Sequence, residues 1–223
     1  MLPPLDLALP GISSPAPAPD AAKLAPFALY AAEFEKNRMS PVNRTFPRRI
    51  DYTVALIRLG RAADAIVELE ALEQAFPGQY ATAANLGTAY ELEGKLTDAL
   101  TWISRGIERN PGSHGGTEWL HVAILKAKLK LQADPAWLAQ HSVLDEADTR
   151  SAGDIVHAIE HQLNERLVFV QPEDAVVCDL FYQAARRLDL QQPGMAERRA
   201  EYLQSSLRFG AWRRAEVKQA LKS

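Results

Sequence analysis

The sequence contains one cysteine, no long uninterrupted apolar run and no strong excess of either charge. Cys178 cannot form an intramolecular disulfide, and no Cys-x-x-Cys pair indicates a structural zinc site. The formal net charge of -3 lacks the clustered positive field of a simple nucleic-acid binder. No stretch approaches the roughly 20 apolar residues of a membrane-spanning helix. With 47% apolar residues, we expect a soluble globular protein that is held together by packing alone.

Proline is concentrated at the start of the chain, where half of the 14 prolines lie within the first 26 residues. Residues 1–25 therefore predict an extended segment, because proline disfavours a regular helix or a central strand. No basic region precedes an uninterrupted apolar stretch, so the segment is not a signal peptide as written. A leader rich in Pro, Ala and Leu is common in exported bacterial proteins and favours export. A cytosolic protein with an extended tail is the alternative.

The middle of the chain repeats itself with a period of 34 residues. Gly60–Ile66 aligns with Gly94–Leu100, and Phe76–Gly78 aligns with Asn110–Gly112, each at an offset of 34. A period of this length is typical of stacked helix-turn-helix units. We expect each glycine to end the first helix of its unit in a left-handed conformation, and each proline to end the second helix.

The recurring residues resemble the tetratricopeptide repeat. In the unit 80–113, Leu86, Gly87 and Tyr90 match the first-helix pattern of that family. The unit 46–79 is a poorer copy, because Tyr52 and Thr53 replace its Leu-Gly pair. Gly87 is small where two helices are expected to approach closely. The resemblance implies an all-α fold, an α-α superhelix like those of uncharacterised bacterial proteins with such repeats.

Beyond residue 113 the period fades while helical patterns persist. We expect a single helical domain over 26–223, with its best repeats at 46–79 and 80–113 and degenerate helix pairs over 114–223. The expected helices outside the two best repeats span approximately 26–37, 117–131, 151–167, 173–189, 194–209 and 211–221, with a further helix start at Asp134-Pro135 and an extended segment at Val168–Val170. The end helices would act as caps.

Proteins similar to tetratricopeptide arrays bind peptides or helices along a concave surface that the first helix of each unit lines. The corresponding positions here are Ile50, Val54, Ile57, Ala84, Asn85, Thr88 and Glu91. Chaperone adaptors of the family bind a C-terminal carboxylate with a clamp of polar and basic residues. In this sequence only Asn85 occupies a position of that clamp. The mostly apolar surface suits an amphipathic helix or an extended apolar segment.

The resemblance thus implies a non-catalytic scaffold for a protein or peptide partner, with no cofactor, no metal and no nucleic acid. In one alternative, the N-terminal helix or the Pro-rich segment fills the surface in cis. A homo-oligomer is also left open.

Two other functions also stay open. His157, Glu160 and His161 have the His-x-x-Glu-His spacing of a zinc-dependent hydrolase, although they share one polar helix face that is typical of solvated surface. Basic clusters around Arg44–Arg61 and after Arg186 would suit docking on an anionic membrane or nucleic acid.

Overall fold

The computed structural model describes residues 21–145 and 148–221, and these residues form ten α-helices and no strand. The helices are α1 Ala21–Lys36, α2 Phe46–Arg58, α3 Ala62–Ala75, α4 Tyr80–Leu92, α5 Leu96–Arg109, α6 Glu118–Ala133, α7 Ala152–Arg166, α8 Ala175–Arg187, α9 Met195–Phe209 and α10 Arg214–Ala220. Consecutive helices pack against each other, so the expected all-α helical-repeat class is confirmed. Within the described residues, no helix has both the length and the hydrophobicity that a bilayer crossing requires.

The contacts between its residues divide the chain into two compact units, and the single domain from residue 26 stays a prediction. The described part of the first unit is 21–118, and that of the second is 119–145 and 148–221. In the first unit α1 to α5 pack in chain order, and α2 also contacts α4. In the second unit α7, α8, α9 and α10 pack in chain order around one apolar core that also takes side chains from α6.

The two best repeats end their first helices in the same way. Gly60 has φ 74° and Gly94 has φ 71°, as the sequence predicts for left-handed glycines. Each is followed by a backbone bond that closes the helix, from Arg61 N to Leu56 O and from Lys95 N to Tyr90 O, both at 2.9 Å. This is the Schellman arrangement, in which a glycine accepts the left-handed conformation without a Cβ clash. The second helices end at Ala75 and Arg109, two residues before Pro77 and Pro111.

A close approach joins α4 and α5 where the sequence predicts one. A Cβ built on Gly87 would lie 2.5 Å from Ile103 Cγ1 and 3.1 Å from Ile103 N. Glycine is therefore required for Ile103 to pack at this crossing, and Ile103 itself is only 2% exposed.

Three local expectations are corrected. Residues 21–25 are helical, because Ala, Lys and Leu are good helix formers and Pro26 is accommodated inside α1. The rest of the expected extended segment lies outside the described residues. Residues 168–170 form a turn, since Phe169 N and Val170 N both donate to Arg166 O. These two bonds follow directly on the last turn of α7, so the chain turns where an extended segment was expected.

The third correction concerns Asp134-Pro135, which does not start an α-helix. The Asp134 carboxylate accepts from Ala136 N at 2.9 Å, and only one 3-10 turn follows, at Trp137–Ala139. A short acidic side chain can satisfy nearby N–H groups in a turn as well as at a helix start. The other second-unit helices begin as predicted, with Ser151 Oγ accepting from Asp154 N at 3.1 Å ahead of α7.

Candidate functional site

The predicted binding residues lie on two helices that contact each other, α2 and α4. We call this the α2–α4 surface. Its half-buried members are Ile50, Val54, Ala84, Asn85, Thr88 and Glu91. Ile57 is only 4% exposed, so it belongs to the core of the first unit and is not available to a partner.

The α2–α4 surface has three aliphatic members and three polar or charged members. Ile50, Val54 and Ala84 have aliphatic side chains that keep some exposed apolar area, and covering that area by an apolar partner would be favourable. Thr88 Oγ1 donates to Ala84 O at 3.2 Å, so its hydroxyl proton is used within α4. The amide of Asn85 adds a side chain that has both a donor and an acceptor.

Helix α1 packs on the side of α2 that is opposite Ile50 and Val54. The ring of Phe34 stacks on that of Tyr52, with 4.2 Å between centroids and 9° between planes. Successive residues turn by about 100° around a helix, so Tyr52 lies about 200° from both Ile50 and Val54. The contacts of α1 with α2 therefore leave the α2–α4 surface uncovered by that helix. The expectation that the Pro-rich segment fills this surface concerns residues 1–20, which lie outside the described part of the chain.

Ion pairs hold the helices beneath the surface in place. Glu68 on α3 is 4% exposed, and its carboxylate accepts from Arg49 Nε at 2.6 Å and from Arg38. Buried carboxylates are costly unless they are paired and hydrogen-bonded, and two guanidinium groups meet that need. Sequence reasoning missed Glu68. The only available signal was an acid among the apolar positions of α3, between Ile66 and Leu69.

Two buried tyrosines link successive helices in the same manner. Tyr52 Oη donates to Glu35 at 2.9 Å, and Tyr90 Oη donates to Glu70 at 2.6 Å. Burial raises the pKa of each phenol to about 12, with a further increase from the acceptor carboxylate. Arg61 and Tyr52 donate to Glu35, and these bonds lower the pKa of that carboxyl.

The residues of the His-x-x-Glu-His motif have different surroundings in the second unit. Glu160 accepts from Tyr202 Oη at 2.6 Å and from Arg198 Nη2 at 2.5 Å, so its carboxylate bridges α7 and α9. Both donors bind Oε1, so this oxygen takes part in a contact that joins the two helices. His157 is exposed, and His161 Nε2 lies 3.4 Å from Glu165 Oε1.

A buried carboxylate also organises the second unit. Asp179 on α8 is fully buried and accepts from Arg213 Nε, Ser142 Oγ and Val143 N, each at 2.8 Å. These three donors come from the segments before α10 and before α7. The arrangement is saturated with protein donors, which is what a structural anchor requires.

Some arginines of the basic clusters are paired within their own units. In the first, Arg61 lies 2.8 Å from Glu35 and 2.7 Å from Asp64, and Arg49 binds Glu68. In the second, Arg213 binds Asp179 and Arg198 binds Glu160. Paired guanidinium groups contribute less to an external field than the sequence count implies.

No protein-family model matches the chain, and no curated protein matches it. Its function is therefore inferred from the geometry described above.

Proposed function

We propose that this chain is a tetratricopeptide-like helical-repeat protein that acts without catalysis, as a scaffold binding an apolar peptide or helix on the α2–α4 surface. The observation that carries the proposal is the contact between α2 and α4, together with the half-burial of Ile50, Val54 and Ala84 on these two helices. Aliphatic groups at this depth lose further exposed area when an apolar segment lies across them, which favours binding.

The remaining contacts support a binding role over a catalytic one. Glu160, the candidate general base, is engaged by Arg198 and Tyr202. The buried carboxylates Glu68 and Asp179 are saturated by neighbouring donors and so act in folding. The α2–α4 surface, in contrast, keeps partly exposed apolar groups on helices whose positions are set by ion pairs beneath them.

Selection of short random peptides displayed on phage tests the proposal. The full chain is the bait. It is compared with a double variant that combines Ile50→Glu with Ala84→Glu. Because a carboxylate that an apolar partner covers pays a desolvation cost, we expect selected peptides to lose affinity by about tenfold or more. The selected sequences should be rich in large apolar residues.

The control is Val67→Glu, which places one carboxylate, against two in the double variant, on α3 at a side chain that is 68% exposed. This variant should bind selected peptides as the wild type does, and circular dichroism should show the same helix content for all three proteins. Peptides that bind the double variant and the wild type equally, or no enrichment of any peptide, would overturn the proposal.

A further inference from the structure

Met39 lies in the connection between α1 and α2, at residues 37–45, and is 73% exposed. Methionine is an apolar residue of a type that is often fully buried in folded proteins. Of the other two methionines in the sequence, Met195 is half-buried at the start of α9, and Met1 lies outside the described residues. A small dissolved molecule can therefore reach the side chain of Met39 more easily than that of Met195.

The backbone of this connection is held by its own hydrogen bonds. Asn43 is only 4% exposed, and its Nδ2 donates to Asn37 O at 3.0 Å. Thr45 Oγ1 donates to Val42 O at 2.8 Å. Neither bond uses the side chain of Met39. A chemical change at that side chain therefore leaves both bonds of the connection intact.

A guanidinium group lies next to the sulfur of Met39. Arg44 Nη2 donates to Met39 Sγ at 4.0 Å, and Arg44 is itself exposed. Thioether sulfur is a weak hydrogen-bond acceptor, so this contact contributes little as it stands. An oxygen bonded to the same sulfur would carry partial negative charge, and a guanidinium donates stronger hydrogen bonds to such an oxygen. Arg44 is therefore better placed for an oxidised Met39 than for the thioether.

We infer that Met39 is a site of oxidation by hydrogen peroxide, and that Arg44 binds the oxygen of the resulting sulfoxide. A lone pair of the Met39 sulfur attacks one peroxide oxygen, so an S–O bond forms while the O–O bond breaks. The sulfur loses two electrons and the peroxide is reduced. The hydroxide that leaves takes the proton of the transferred oxygen and departs as water. The product is a neutral sulfoxide, which is polar where the thioether is apolar.

This oxidation changes the surface of the first unit and leaves its core as it is. Oxidation of a buried methionine disrupts packing, whereas Met39 is largely exposed and the added oxygen extends into solvent. Val42, in the same connection, is 63% exposed. Conversion of Met39 to a sulfoxide thus removes one of the two large apolar side chains that residues 37–45 expose.

Peptide mass spectrometry of the full chain after timed treatment with hydrogen peroxide tests the site. We expect Met39 to be oxidised about fivefold or more faster than half-buried Met195, because susceptibility follows exposure. In guanidinium chloride the two residues should react at the same rate, since unfolding makes their exposure equal. Protein oxidised only at Met39 should keep its melting temperature. Equal rates in the folded protein, or a lowered melting temperature, would overturn the inference.

NMR of protein with ¹³C-labelled methionine methyl groups tests the role of Arg44. The informative variant is Arg44→Ala, and the matched control is Arg105→Ala, which removes the same charge from an exposed side chain on α5. We expect Arg44→Ala to shift the methyl signal of Met39 about twofold more after oxidation than before it, because the sulfoxide is the stronger acceptor. Arg105→Ala should leave that signal in place. An oxidised Met39 whose signal is the same in the wild type and in Arg44→Ala would overturn the inference.

Discussion

At the scale of single residues, two buried glycines of the α4–α5 pair have different surroundings. A Cβ on Gly87 would lie 3.1 Å from the backbone nitrogen of Ile103, whereas a Cβ on Gly106 would meet Tyr80 Cε2 at 3.6 Å, an ordinary contact. Gly87 is therefore required by packing. Gly106 carries only the backbone entropy cost that glycine has in a helix.

Alanine at each glycine separates the two cases. We expect Gly87→Ala to lower the free energy of unfolding by about 1 to 3 kcal/mol, because the added methyl group overpacks the crossing. Gly106→Ala should instead raise it by about 0.4 to 1 kcal/mol, by reducing the entropy of the unfolded chain. Urea denaturation followed by circular dichroism measures both. A loss at Gly106 equal to that at Gly87 would contradict the different distances between α4 and α5 at the two glycines.

Buried phenols make the stability sensitive to high pH. The pKa of Tyr52 is raised to about 12 from an ordinary value of 10.0, mainly by burial and then by its bond to Glu35. The folded protein thus holds this proton more tightly than the unfolded chain does. The stabilisation is fully present below about pH 10 and is lost as the pH rises towards 12.

We therefore expect the free energy of unfolding to fall between pH 10 and pH 12, and to fall less steeply in Tyr52→Phe. Tyr90, whose pKa is also about 12, should leave a residual slope in that variant. Denaturant titrations at several pH values give the two slopes. Identical slopes in the wild type and in Tyr52→Phe would mean that this phenol titrates normally.

At the scale of the helices, the repeat makes the ends of α2 and α4 equivalent. Gly60 and Gly94 lie 34 positions apart, have φ values of 74° and 71°, and have no atom within 4 Å of a built Cβ. A side chain at either position would meet no clash with neighbouring residues. Its cost would come from the left-handed backbone alone.

Gly60→Ala and Gly94→Ala should therefore destabilise by the same amount, about 1 to 2 kcal/mol each. Gly112→Ala, at φ -88°, is the matched control and should have little effect. Thermal unfolding of the three variants provides the comparison. Unequal effects at the two repeat positions would indicate that one helix end does more than reverse the chain.

At the scale of the whole molecule, the charges largely balance within each unit. The net charge is -3, and three arginines of the basic clusters are paired, Arg49 with Glu68, Arg61 with Glu35, and Arg213 with Asp179. This pairing bears on the alternative that the protein docks on an anionic surface, because such docking needs cations that are available to phosphate groups.

We expect the protein to pass through a heparin column without retention at low ionic strength, since pairing leaves a weak external field. A variant with Glu35→Gln and Asp64→Asn, which releases Arg61, should be retained more than the wild type. Retention of the wild type that falls steeply with added salt would instead support docking on nucleic acid or anionic membranes.

Much of the fold could be predicted from particular residues of the sequence. Gly60, Gly94, Pro77 and Pro111 specify helix ends, because their backbone preferences act locally and need no partner. Gly87 predicted the α4–α5 crossing, because only a missing side chain permits such an approach. The prediction that Val168–Val170 is extended was wrong, since Phe169 N and Val170 N donate to Arg166 O and the chain turns there.

The sequence by itself thus determined that the chain is helical, where most helices begin and end, and which two segments repeat. Only the tertiary structure decided which polar groups are buried together. Glu68 with Arg38 and Arg49, Glu160 with Arg198 and Tyr202, and Asp179 with Arg213 are each brought together from separate segments. The physical reason is that helix ends follow from backbone conformation within a few residues, whereas the environment of a charge depends on every helix packed around it.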